Sequence, residues 1–233
     1  PQGVREAVRY AADRVLDVFL TEAARDRHSG IWEEARAAGL YVHLASERVM
    51  AAMSTDSQGG LAVVVMDEAA GPGALVAALS GAMLVVVLTE AQDPGNAGAI
   101  IRAADAAGAD AVVLLRGSVD ATSPKVVRSS AGSLFHLPVV TGVTLDDAVA
   151  ALHEADLAVV AADSRGALDL FDADAVLEGP VAWLLGNEAR GLPPEALSRA
   201  DAVISIPVRG RAESLNVAAA AAVCLYASAR AQR

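Results

Sequence analysis

Apolar positions along this chain recur at two spacings, and the alternation between them predicts an α/β protein. In the first third, REAVRYAADR, IWEEARAAG and SERVMAAM carry helical spacing, while VLDVFL, LYVHL and GLAVVVM read as short strands. From Met83 onward the strand candidates MLVVVLT, DAVVLL, LAVVAAD, VAWLLG and VISIPV are nearly continuous apolar runs. Segments long enough for crossovers separate them, the signature of a mostly parallel sheet covered by helices. Between them DEAAGPGALVAALSGA mixes turn residues with one short apolar piece and predicts the connection between a domain over 1–75 and another over 76–233. Asn96 to Gly108 predicts a helix whose packed face is Ile100, Ala103, Ala104 and Ala107, leaving Arg102 to point elsewhere. After Ser214, SLNVAAAAAVCLYASARAQR predicts a terminal helix that covers the sheet, forms an oligomer surface, or does both.

Composition narrows the class. With 233 residues and 54% apolar content the chain can bury a substantial core, and with 3% aromatics that core is packed from Ala, Val and Leu. One cysteine, Cys224, excludes an intrachain disulfide framework and a cysteine-rich cluster, and four dispersed histidines form no metal-binding pattern, so no metal is expected. A net charge of −11, divided as −4 up to Leu84 and −7 beyond it, argues against nonspecific attraction to nucleic acid or anionic membrane. Seven basic residues nevertheless lie beside turns and glycines of the second part: Arg102, Lys125, Arg128, Arg165, Arg190, Arg209 and Arg211. They either converge on a local anionic site or solvate the surface singly. No targeting or spanning segment stands out, so a cytosolic protein is expected, with native residues missing before Pro1.

Three segments carry candidate chemistry. In LTEAQDPGNAGAIIRAADAAG a strand ends near Thr89 and a helix begins near Gly98, presenting backbone N–H groups to an anionic substrate. Asn96 can donate and accept hydrogen bonds there and Arg102 can grip a phosphate, against the simpler reading of a helix cap and a surface arginine. DPGNAG lacks the G-x-G-x-x-G arrangement and the G-K-[ST] ending, which disfavours dinucleotide binding and nucleotide hydrolysis. In VAWLLGNEARGLP, Gly186 permits close backbone approach and Glu188 can hold a cation, an arginine or a ribose hydroxyl. In ISIPVRGRAESLNVAAAAA, Pro207 and Gly210 shape a loop that ends in Ser214 and Asn216, with Ser214 either a helix N-cap or part of a binding loop.

Together, DPGNAGAIIRAADAAG, LLGNEARGLP and ISIPVRGRAESLNVAAAAA, in this order, resemble the motifs of the SpoU/TrmH family of RNA ribose 2'-O-methyltransferases, members of the SPOUT superfamily. VDATSPKVVRSSAGSLFHLPV resembles that family's substrate-facing segment, and the first third resembles, less specifically, a small L30e-like RNA-binding domain, truncated at its start. The resemblance implies a SPOUT-like domain with a deep trefoil knot. It implies S-adenosylmethionine-dependent methylation of a ribose 2'-hydroxyl in RNA, with 23S ribosomal RNA the first expectation. Transfer RNA methylation and noncatalytic RNA binding are the alternatives. By the same resemblance Asn96, Arg102, Glu188, Ser214 and Asn216 form the catalytic neighbourhood. Gly186, Ile206 and Leu215 hold the cofactor through backbone groups, and Lys125, Arg128, Arg165, Arg190, Arg209 and Arg211 contact RNA. A homodimer is implied as the catalytic unit.

Overall fold

The computed structural model describes residues 1–66, 69–187 and 189–233, and the chain divides into two compact units. The smaller takes in Pro1–Asp67 and returns for Ala131–His136; the larger takes in the remainder. The division by contacts thus falls at 67/68 instead of 75/76.

In the smaller unit α1 (Gln2–Tyr10), β1 (Val15–Leu20), α2 (Glu22–Arg27), α3 (Ser29–Ala37), β2 (Tyr41–Leu44), α4 (Glu47–Met53) and β3 (Gly60–Val64) follow in order. The sheet order is β2-β1-β3, with β2 parallel and β3 antiparallel to the central strand. Val4, Ala7 and Val8 of α1 and Ile31 and Ala35 of α3 pack against Val15, Val18 and Leu20. The opposite side of this sheet carries Phe19 stacked on His43. α4 ends at Met53, where its pattern ends, whereas α1 and α3 each begin and end ahead of theirs; α2 follows so closely on β1 that its single turn and a half escapes a periodicity reading. Its N-cap, Thr21, accepts from Ala24 N at 3.1 Å.

The larger unit begins with α5 (Gly71–Ala78). This helix replaces the expected connection: Pro72 sits in its first turn, where a missing N–H costs nothing, and Leu75 and Leu79 are buried in the main core with Val140, Val143 and Leu152. The chain continues through β4 (Leu84–Leu88), α6 (Pro94–Ala107), β5 (Ala111–Leu115), α7 (Pro124–Ser129), β6 (Val139–Val143), α8 (Leu145–Glu154), β7 (Ala158–Ala162) and β8 (Leu168–Asp169). It ends with α9 (Asp174–Leu177), β9 (Val181–Leu185), α10 (Pro194–Arg199), β10 (Ala202–Ser205) and α11 (Val217–Ala231). Strand order is β6-β5-β4-β9-β7-β10-β8, every neighbouring pair parallel. Every residue of β4, β5 and β9 is buried, which is why these strands read as unbroken apolar runs.

The terminal helix covers this sheet. Trp183 of β9 is fully buried and donates its indole N–H to Ser228 Oγ of α11 at 2.9 Å. Cys224 on the same helix is also fully buried, and burial pushes its thiol up to about 12, so it packs as a small apolar group. Among the described residues no helix is long and apolar enough to cross a membrane.

Candidate functional site

Because all seven strands of the large sheet run parallel, the loops leaving their carboxyl ends share one edge, and the three motif segments are three of those loops. The first follows β4, the second follows β9, and the third follows β10. β9, late in sequence, lies between β4 and β7, so the first and second loops are direct neighbours. That reversal of strand order is where parallel sheets open a crevice for ligands.

The first loop is shorter than the sequence suggests. α6 starts at Pro94, not near Gly98, and Asp93 is its N-cap, accepting from Asn96 N at 2.8 Å. This hydrogen bond, with Lys125 Nζ 3.7 Å away, holds the Asp93 carboxyl below the usual carboxylate range. Asn96 therefore sits in the first helical turn with its backbone fixed. Gly98 is required by space: a Cβ there would lie 2.0 Å from Ser129 Oγ and 2.6 Å from Val126 O of α7. Ser129 Oγ is also 3.0 Å from the Pro94 carbonyl, so α7 rests directly on the start of α6. A side-chain N-cap contributes about 1 kcal/mol to stability. Asp93→Ala is expected to lower the urea unfolding midpoint accordingly at neutral pH. Since the folded-state carboxyl titrates below its unfolded value, its contribution is lost as pH falls through that lowered value, and the gap between variant and wild type should close as it does.

The third loop meets the first through one hydrogen bond. Asn216 Nδ2 donates to Asn96 Oδ1 at 3.1 Å while Asn216 Oδ1 accepts from Ala218 N and Ala219 N at 2.9 and 3.3 Å. Asn216, not Ser214, is thus the N-cap of α11; Ser214 and Leu215 lie ahead of it, both exposed. The bond joins the N-termini of α6 and α11, two helices that pack along each other, and puts both positive dipole ends at one place. Arg102 lies on α6 one turn beyond Gly98, exposed, with no hydrogen bond or ion pair to its guanidinium among the described residues.

In the second loop Gly186 is followed by a tight turn. Asn187 N donates to Gly191 O at 3.1 Å and Gly191 N returns to Asn187 O at 2.8 Å. Glu188 lies outside the described residues. None of the backbone hydrogen bonds among the described residues uses Gly186, Ile206 or Leu215, so their main-chain groups are available to a ligand. A fourth loop, after β7, shares the edge and was singled out only for its arginine. Gly166 packs so tightly there that a Cβ would lie 2.6 Å from Ile204 C and Ser205 N, just ahead of Ile206.

Several of the candidate RNA-contacting side chains have local partners. Arg165 makes two hydrogen bonds to Asp163, Nε to Oδ1 at 2.8 Å and Nη2 to Oδ2 at 3.0 Å. That pairing lowers the Asp163 carboxyl and raises the guanidinium. Arg190 donates to Glu90 Oε2 at 2.6 Å. Lys125 stands at Asp93, and Arg128 is exposed on α7 with a partner of its own. Arg209 and Arg211, exposed in the third loop, have no hydrogen-bonded or ion-paired partner among the described residues.

The sequence profile of the SpoU rRNA Methylase family matches residues 83–226, which spans all three loops. The chain belongs to this family. Among relatives, a 23S rRNA (guanosine-2'-O-)-methyltransferase RlmB of Bordetella pertussis is 32% identical over 237 residues, covering 96% of this chain and 92% of that protein. The 23S rRNA (uridine(2479)-2'-O)-methyltransferase of Streptomyces viridochromogenes is 42% identical over 142 residues, covering 59% of this chain and 49% of that protein. The crystal structure of the SpoU methyltransferase AviRb from Streptomyces viridochromogenes in complex with AdoMet is similar with a TM-score of 0.80 and 30% identity, covering 98% of this chain and 88% of that one. The SpoU family match extends over the parallel sheet and α11 as far as Tyr226, and the likeness to AviRb covers 98% of the chain.

Proposed function

We propose that this SpoU family chain transfers the methyl group of S-adenosylmethionine to a ribose 2'-hydroxyl of 23S ribosomal RNA. The observation that carries the reading is the Asn216–Asn96 hydrogen bond, which brings the first and third motif loops together at the N-termini of α6 and α11. The relatives' activities support the substrate, and the AdoMet complex of AviRb supports the cofactor.

The fit of the cofactor rests on the backbone of three loops. Gly186, Ile206 and Leu215 offer main-chain donors and acceptors that hold adenine and ribose, and Gly166 lets the β7 loop close against the strand end that leads to Ile206. When bound, S-adenosylmethionine supplies an electrophilic methyl on a sulfonium. The neutral 2'-hydroxyl is a weak nucleophile, so the protein's task is to align it and to stabilise the oxyanion character that grows as its proton leaves. Arg102 does this as a permanently charged guanidinium and is not the proton acceptor. Asn96, fixed by Asp93 below and Asn216 beside it, orients the ribose; Glu188 and Ser214 complete the neighbourhood. Arg209 and Arg211 of the third loop take RNA phosphates, as do Lys125 and Arg128 of α7.

The smaller unit serves as an L30e-like RNA-recognition domain on this reading. The return from β10 past the β9 loop to α11 forms the trefoil knot, for which the position of β9 between β4 and β7 and the Asn216–Asn96 bond are the support. The working unit is a cytoplasmic homodimer; Phe171 and Tyr226, 58% and 54% exposed, are large apolar groups that a second copy would cover. The test is incubation with labelled S-adenosylmethionine and either unmodified 23S rRNA or unmodified tRNA, followed by mapping of the modified nucleotide. Label on one 2'-oxygen of 23S rRNA is expected. Label on tRNA instead would change the substrate, and no transfer to either would leave a noncatalytic RNA-binding protein.

A further inference from the structure

We infer that Asn187 is a positioning residue, which with Arg190 locks the second motif loop to the start of the first and so sets the geometry of the cofactor site. The inference rests on the proposed methyltransferase reading. Asn187 is 8% exposed, and its amide is used at both ends: Nδ2 donates to the Glu90 carbonyl at 2.9 Å, while Oδ1 accepts from Ala189 N at 2.9 Å and Arg190 N at 3.2 Å. Register explains its importance. The β4–β9 ladder ends at Leu88 opposite Leu185, and one further backbone bond, Thr89 N to Leu185 O at 3.0 Å, follows. The next rung is made by a side chain, the Asn187 amide reaching Glu90 O. Beyond that rung the two chains diverge, one toward the Asp93 cap and Asn96, the other into the turn closed by Asn187 and Gly191.

Only a carboxamide of this length both donates to a carbonyl on one side and accepts N–H groups on the other. An aspartate would keep the two accepted bonds but oppose the Glu90 carbonyl with a second acceptor. An alanine would deprive the partly buried Glu90 carbonyl and both N–H groups of these bonds. Arg190 supports the same junction, since its guanidinium reaches the Glu90 carboxylate across the turn. Its place in the site is therefore a strap between two loops and not an RNA contact. Glu90 receives both residues, one on its backbone and one on its side chain.

The experiment measures KM for S-adenosylmethionine, KM for RNA, kcat and thermal midpoint in Asn187→Asp and Arg190→Ala. Asn187→Asp is expected to raise KM for the cofactor by about tenfold or more. Its kcat at saturating cofactor should stay within about threefold of wild type, with KM for RNA unchanged. Arg190→Ala, an exposed change that should leave folding intact, is expected to raise the cofactor KM by about two- to fivefold, again without moving that for RNA. A purely structural role for Asn187 would lower the thermal midpoint with an unchanged cofactor KM, and this result overturns the inference. So does an Arg190→Ala enzyme that loses RNA affinity and keeps its cofactor KM, which would return Arg190 to the RNA surface. If Asn187→Asp does not fold, the Arg190→Ala measurements decide alone. Wild-type enzyme that neither binds S-adenosylmethionine nor transfers methyl would refute the functional reading itself, an outcome separate from these.

Discussion

Arg102→Ala is expected to lower methyl transfer by about 100- to 1,000-fold while S-adenosylmethionine binds as it does to wild type. The split follows from where the side chain stands. Arg102 projects from the exposed side of α6, whereas the cofactor is assigned to the Gly186, Ile206 and Leu215 backbone of other loops. With no ion pair among the described residues, removing it orphans none of their side chains and leaves the packed face of Ile100, Ile101 and Ala104 intact, so stability should change little. The lost term is stabilisation of charge on the 2'-oxygen in the transition state, which lowers kcat. Arg102→Lys keeps the charge but not the planar fork and is expected to recover only part of the rate. Calorimetric titration of cofactor beside single-turnover transfer reads both quantities. An alanine variant that turns over normally would remove Arg102 from the chemistry, and one that no longer binds cofactor would move it into the cofactor site.

Comparison of the sequence patterns with the fold shows what a linear reading reaches. β1 was legible at both ends, Val15 and Leu20, because its apolar residues begin after Arg14 and stop before Thr21, and the strands β4, β5 and β9 were legible because complete burial makes them unbroken apolar runs. β6 was not, since Thr141 and Gly142 interrupt its run; Gly142, at φ 74, occupies a conformation strands rarely use. The Gly-Pro-Gly at the head of α5 read as a turn, although Pro in a first helical turn is favourable. At the site, residue types were readable and partners were not. Asp93 reads as part of a loop, although its carboxylate caps α6, and nothing local announces that Asn187 completes a ladder with Glu90, 97 residues away. Arg165 shows the opposite limit. Asp163, two residues before it, was visible in the sequence, but only the fold shows the pairing that occupies the guanidinium.

Gly186→Ala is expected to weaken S-adenosylmethionine binding by about 10- to 100-fold, because overpacking strain of about 1–3 kcal/mol falls on the binding loop and each 1.4 kcal/mol is about tenfold in affinity. The cause is space. A Cβ at this position would lie 2.3 Å from Gly191 C, 2.4 Å from Leu192 N and 2.6 Å from Gly191 O. All three are backbone atoms, so no rotamer change relieves the overlap. The far side cannot retreat either, because Leu192 is 3% exposed within the main core and the turn is closed by both hydrogen bonds between Asn187 and Gly191. The strand end carrying Gly186 must move instead, taking with it the main-chain groups assigned to the cofactor, and the overpacking should also cost about 1–3 kcal/mol of stability. Two other glycines separate this cause from its alternatives. Gly191, at φ 66 with open space around its missing Cβ, tests left-handed backbone strain, and Gly191→Ala should lower stability modestly with a smaller loss of affinity. Gly210, with nothing within 4 Å and no positive φ, is the control, and Gly210→Ala should bind cofactor as wild type does. Calorimetric affinities in the order Gly210→Ala, Gly191→Ala, Gly186→Ala, from unaffected to most impaired, are the expected result. A Gly186→Ala protein with undiminished affinity would show that the loop yields without moving the cofactor, and that the close approach of Gly186 to Gly191 serves folding alone.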